Sequence, residues 1–170
     1  MARPRYHALA AALLAVPAYR TGGGAAVAGI LAAGVLLDAD HLADYAWTRW
    51  RGARSHYLAP LHGWELAAAA AALAALMPSE APFARLPDRR LHRQSWRRWA
   101  WRRWRKAFVA GLALGWWAHL IQDVLTNRPQ HPGVYSLVYR ARRGFRREIT
   151  GWGEHTKFHG WSNRPWYTWY

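Results

Sequence analysis

His119 and Asp123 sit four residues apart at the end of a run that carries no formal charge from Ala107 to Gln122. On a helix, residues i and i+4 share a face, so imidazole and carboxylate converge on one point. That spacing suits a metal ion, and a carboxylate at the end of an apolar helix needs a compensating partner. A buried His–Asp hydrogen bond produces the same pattern. Three further apolar runs carry comparable residues at one end. His7 opens the first, Asp38-Ala39-Asp40-His41 closes the second, and His62-Gly63-Trp64-Glu65 opens the third.

The elements that must position these residues are four uncharged segments: Tyr6–Tyr19, Thr21–Leu37, Leu66–Ser79 and Ala107–Gln122. Their Ala and Leu content predicts helices. Gly22-Gly23-Gly24 separates the first pair as a tight helical hairpin, and Pro78 and Pro82 end the third. Helices apolar all round suit lipid or a large core, and one chain of 170 residues is too small to bury four of them. The expected fold is therefore all-α, an antiparallel four-helix membrane bundle. A soluble Ala-rich bundle is the competing reading, because 16 residues of helix reach about 24 Å against a hydrocarbon core of about 30 Å. Gly29, Ala33 and Gly34 permit close helix packing.

If the segments run up and down, starts of odd helices and ends of even ones fall on one side. Topology alone then gathers His7, Asp38, Asp40, His41, His62, Glu65, His119 and Asp123 at one end of the bundle. Asp38 and His41 are i, i+3 neighbours and form the favoured pair in their cluster, while Asp40 pairs with Asp44. The expected metal ligands are His7, Asp38, His41, His62, His119 and Asp123. Asp40 or Glu65 is expected to serve as catalytic base. The chain has no cysteine, so a thiolate site and a disulfide framework are excluded. A His and carboxylate set suits a divalent transition metal, zinc first, with manganese or iron as alternatives. Such an ion acidifies water near neutral pH.

A net charge of +15 implies an anionic partner. Thirteen Trp and eight Tyr favour anionic membrane lipids over nucleic acid. Arg85–Lys106 holds ten basic residues and one acid, Asp88, around the core Trp96-Arg97-Arg98-Trp99-Ala100-Trp101-Arg102-Arg103-Trp104-Arg105. It reads as a basic Trp/Arg-rich loop or as an interfacial helix on anionic lipid. Residues 1–127 form the expected helical metal-site domain. Residues 128–170 form a basic aromatic tail packed on it. The N-terminal segment also has the look of a signal peptide, but Pro17-Ala18-Tyr19-Arg20 is a poor cleavage site.

The order of these motifs resembles the membrane-bound metal-dependent hydrolase family, the LexA-regulated inner-membrane hydrolases, over roughly Tyr6 to Asn127. It is also distantly similar to zinc-dependent phospholipase C, whose zinc cluster cleaves phosphodiesters. The resemblance implies metal roles for His7, Asp38 or Asp40, His41, His62, His119 and Asp123. It further implies hydrolysis of a phosphoester or related bond in a lipid-like or phosphorylated substrate, at the bacterial inner membrane. The stretch His56–Gly63 lacks the Arg, Thr and Ser that the family usually carries before its third helix.

Overall fold

The computed structural model describes residues 4–51, 59–79, 92–127 and 131–146. They are mostly helical, and there is no strand among the described residues. Helix α1 covers Pro4–Leu36 and is interrupted at Gly23, with φ 64° and ψ −158°. That left-handed conformation is open to glycine, and the chain folds back there. The reversal brings Ala11 against Gly34, where a Cβ on the glycine would lie 2.8 Å from that of Ala11. A single 3-10 turn, Leu37–Ala39, leads into α2, Asp40–Arg51. Helix α3 covers Trp64–Leu76, α4 covers His92–Asn127, and α5 covers Leu137–Arg142 after a 3-10 turn at Pro132–Tyr135.

The second arm of α1 lies directly on α4. A Cβ on Gly29 would collide with the carbonyl of Phe108, and one on Gly111 with the carbonyl of Ala26. Gly115 meets Ile30 and the Gly34 carbonyl meets His119. The contacts of residues 26, 30 and 34 with 111, 115 and 119 advance together, so this arm and α4 run in the same direction. Helix α3 runs the other way. Trp64 at its start packs on Trp117 with ring centroids 5.2 Å apart, and Lys106 Nζ donates to the Met77 carbonyl at its end, 2.7 Å away. The buried apolar residues are mainly alanines, including Ala11, Ala26, Ala33, Ala67 and Ala113, with Ile30 and Leu120. Small side chains bring backbones close, which is how helices associate without a large side-chain core.

Two stretches, Arg5–Ala43 and Trp96–Thr126, are long and apolar enough to cross a membrane. The first is folded back at Gly23, so its length is divided between two arms. Leu9, Leu13 and Val16 are all more than half exposed and lie on one face of the first arm.

Two expectations change. The Trp96–Arg105 stretch is part of α4, not a loop. Nothing between Lys106 and Ala107 breaks a helix, so the charged and apolar stretches continue as one. Helix α2 is a separate element whose polar residues masked it in a search for apolar runs. Arg85–Leu91 of the basic segment and residues 147–170 of the tail, with His155 and His159, lie outside the described residues, as does His56.

Candidate metal centre

All six expected ligands meet at one end of α4. His7 opens α1, Asp38 lies in the 3-10 turn, His41 follows at the start of α2, His62 precedes α3, and His119 and Asp123 lie near the end of α4. His7, His62, His119 and Asp123 are buried, while the Asp38 and His41 side chains retain 27% and 18% exposure. The centre therefore opens to the outside past Asp38 and His41.

The candidate ligand atoms form two adjoining groups. His7, His119 and Asp123 make one; Asp38, His41 and His62 make the other. In the first, Asp123 Oδ1 lies 3.4 Å from His7 Nε2, Asp123 Oδ2 lies 3.6 Å from His119 Nε2, and the His7 and His119 rings stack at 3.9 Å. In the second, Asp38 Oδ1 lies 3.8 Å from His41 Nε2 and 3.7 Å from His62 Nε2. The groups are joined by Asp38 Oδ1 to His119 Nε2 at 3.4 Å and by Asp123 Oδ2 to His62 Nε2 at 3.3 Å. Donors on a tetrahedral zinc with bonds near 2.0–2.1 Å stand about 3.3 Å from one another, so these separations match a set of ligands sharing a cation.

The tautomers carry the argument further. His119 Nδ1 lies 3.1 Å from the Gly34 carbonyl, which can only accept, so Nδ1 carries the proton. His62 Nδ1 lies 3.0 Å from Asp40 Oδ2, which likewise accepts. In neutral rings both Nε2 atoms are then bare lone pairs, yet they face each other at 3.1 Å. Two acceptors at that distance need positive charge between or upon them. One source is a proton. Burial alone would lower the His62 pKa, but hydrogen bonds with Asp123, Asp38 and Asp40 raise it well above its ordinary value. The other source is a metal, and the arrangement has the usual outer hydrogen bonds of metal-bound histidines, one to a carboxylate and one to a backbone carbonyl.

The two residues expected as bases have other partners. Asp40 accepts from the Leu61 amide at 2.8 Å as well as from His62, which makes it the residue that orients His62. Its second oxygen, Oδ1, is buried and has no hydrogen-bond partner among the described residues. Glu65 is turned toward the start of α5. It accepts from the Ser136 hydroxyl, the Leu137 amide at 3.0 Å and the Val138 amide at 3.2 Å. Burial works to raise the Glu65 pKa, but these hydrogen bonds dominate and hold it at about 2. The reason is local: the unpaired amides at a helix N-terminus are the natural partners of a carboxylate.

Arg140 is the residue sequence reasoning missed. It is fully buried, and its guanidinium donates to the carbonyls of Ala59, at 3.0 Å, and His62, at 2.8 Å. Ala59 has φ 29°, unusual for a residue with a side chain. Trp116 Nε1 donates to the Leu61 carbonyl at 2.8 Å. The short segment before α3 is thus held at Ala59 and His62 by Arg140 and at Leu61 by Trp116. One more arginine among 24 basic residues gave no signal. His131 is also placed outside the centre, with Nδ1 accepting from the Gly133 amide at 2.9 Å.

No protein-family profile, curated protein or solved structure matches the chain.

Proposed function

We propose that the chain is an integral, multi-pass inner-membrane hydrolase that depends on a divalent transition metal, zinc first, and cleaves a phosphoester or related bond of a lipid-like substrate. Its helices form an antiparallel four-helix membrane bundle with the centre at one face. The observation that carries the reading is the pair of Nε2 atoms of His62 and His119 facing each other at 3.1 Å among Asp38 and Asp123. The outward faces of the helices support the membrane setting, since Leu9, Leu13, Val16, Leu73 and Leu125 are exposed. The likeness of the motif order to membrane-bound metal-dependent hydrolases points to the same class.

His7, His119 and Asp123 would hold one ion, and Asp38, His41 and His62 a neighbouring position. The bound metal supplies Lewis acidity and a more acidic water. Asp40 and the Gly34 carbonyl keep His62 and His119 in the tautomer that presents Nε2. Asp38 reaches both the cluster and the opening, whereas Asp40 and Glu65, the expected bases, are engaged by His62 and by the start of α5. Leu36, Leu42 and Leu61 are exposed neighbours of the ligand-bearing segments and suit an acyl chain beside a phosphorylated headgroup.

The test is elemental analysis of protein purified in detergent without chelators, together with hydrolysis of a chromogenic phosphodiester before and after chelation. Retained metal and chelator-sensitive, zinc-restored hydrolysis support the proposal. Absence of metal overturns it and favours a non-enzymatic cationic membrane protein with structural His and Asp residues.

A further inference from the structure

The centre engages the C-terminal half of α4 and leaves the N-terminal half without a task. The described reversal of α1 and end of α3 meet that half at Ala107 and Lys106. Gly22, beside the reversal of α1, faces Ala107, and Lys106 holds the end of α3 through the Met77 carbonyl and the Ser79 hydroxyl. Helix α4 nevertheless extends back to His92. From Trp96 to Lys106 it carries Arg97, Arg98, Arg102, Arg103, Arg105 and Lys106, with no acidic residue. All five arginines are exposed, as are Trp96, Trp101 and Trp104.

The charges of this half-helix work against it in isolation. Arg98 with Arg102, and Arg102 with Lys106, are like-charged pairs at i, i+4. A dense anionic surface offsets that repulsion.

The aromatic residues indicate which surface. Trp101 stacks on Trp104 with ring centroids 5.3 Å apart, and Trp104 stacks on Phe108 at 5.3 Å. The ladder runs without a gap from the charged half into the apolar half. If the hydrocarbon layer begins at Ala107, where the uncharged run begins, Trp104 and Trp101 lie about 5–9 Å outside it. That is the headgroup level, where indoles accumulate and arginines meet phosphates. A nucleic acid would match the charge but gives no reason for a ladder that continues into an apolar helix.

We propose that Trp96–Lys106 of α4 is a headgroup-level anchor that selects anionic phospholipid. The proposal rests on the membrane setting argued above and is independent of catalysis. Because the chain has no cysteine, Ala100→Cys places one fluorescent label in the middle of the segment. The full-length labelled protein is reconstituted in nanodiscs of phosphatidylcholine and phosphatidylglycerol, with either lipid brominated as quencher. Brominated phosphatidylglycerol is expected to quench the label in preference to brominated phosphatidylcholine by about tenfold, and high salt should reduce the preference. Replacing the five arginines Arg97, Arg98, Arg102, Arg103 and Arg105 by Gln should bring the ratio to about one, with helicity by circular dichroism confirming that the variant folds. Equal quenching by both lipids in the parent protein, or a preference that survives the five replacements, overturns the anchor. So does protection of the label by an oligonucleotide and by neither lipid. Failure of the protein to enter nanodiscs at all overturns the membrane setting itself.

Discussion

Arg140 Nη2 donates to the carbonyl of His62 across 2.8 Å, and its Nη1 takes the carbonyl of Ala59 at 3.0 Å. A ligand of the proposed centre is thus held through its own backbone by a residue of the C-terminal segment. Arg140→Met keeps bulk and removes both donors. It should destabilise the protein by about 2–4 kcal/mol, since two buried carbonyls lose their partners, and weaken metal binding by about 10–100-fold. Thermal melting and metal titration measure the two effects. Arg140→Lys should recover part of the affinity by keeping one donor. Unchanged metal affinity in Arg140→Met would show that the clamp does not position His62.

His119→Ala and Asp123→Ala should each lower metal content sharply, because each removes a donor and leaves the remaining charged groups unpaired. Wild-type protein is expected to retain about one to three ions, and elemental analysis in detergent reads both. Zinc added to metal-free protein should release protons, because an ion displaces the proton that the surrounding carboxylates hold on His62. A pH indicator in weak buffer follows this directly, and zinc binding without proton release contradicts it.

Gly111→Ala should be severe for so small a change. The added methyl would strike the Ala26 carbonyl and force the second arm of α1 away from α4. An overpacked contact costs about 1–3 kcal/mol. Here it also shifts Gly34 relative to His119, whose hydrogen bond fixes the tautomer. Loss of both thermal stability and metal is expected. Loss of stability with full metal occupancy would show that the centre tolerates the displacement.

Glu65 makes a defined pH prediction. Its folded pKa, about 2, lies below the ordinary value of 4.5. A depressed carboxylate contributes stability that is fully present above the ordinary value and is lost as pH falls from there through the folded value. Wild type should therefore exceed Glu65→Gln in melting temperature at pH 7, and the gap should close as pH falls from about 4.5 toward 2. A gap that stays constant over this range would refute the role of the ionised carboxylate at the start of α5.

Positive charge flanking a span marks the cytoplasmic side. The basic half of α4 is the denser signal, so it is expected in the cytoplasm, with the centre facing outward. The C-terminal segment shares the side of the centre through Arg140. Alkaline phosphatase fused at Tyr170 should be active and a fluorescent protein there dark. The reverse pattern refutes this orientation.

The clustering of these His and Asp residues was legible because each stands where an apolar run meets polar sequence, and because i, i+3 and i, i+4 spacing shows in the letters. The reversal at Gly22-Gly23-Gly24 was legible for a similar reason, as three glycines interrupt an Ala-rich run. The roles of Asp40 and Glu65 were not, since a carboxylate that orients a histidine or caps a helix has the same letter as one that takes a proton. Arg140 was hidden because burial is a property of the folded chain, and its partners are backbone carbonyls that no sequence pattern marks. The length of α4 was misread for a different reason. Hydropathy divides at Lys106, but helix propensity does not.

His7 and Asp123 are neighbours in space although most of the described chain separates them. The clamp on His62 comes later still, from Arg140. During synthesis the set of six side chains is therefore complete only when the end of α4 has emerged, and its clamp only when α5 has. If the proposed centre binds metal, a chain truncated before α5 keeps all six side chains but lacks the clamp, and should insert its apolar helices yet hold the ion about 10–100-fold more weakly. Metal affinity would then record finished assembly.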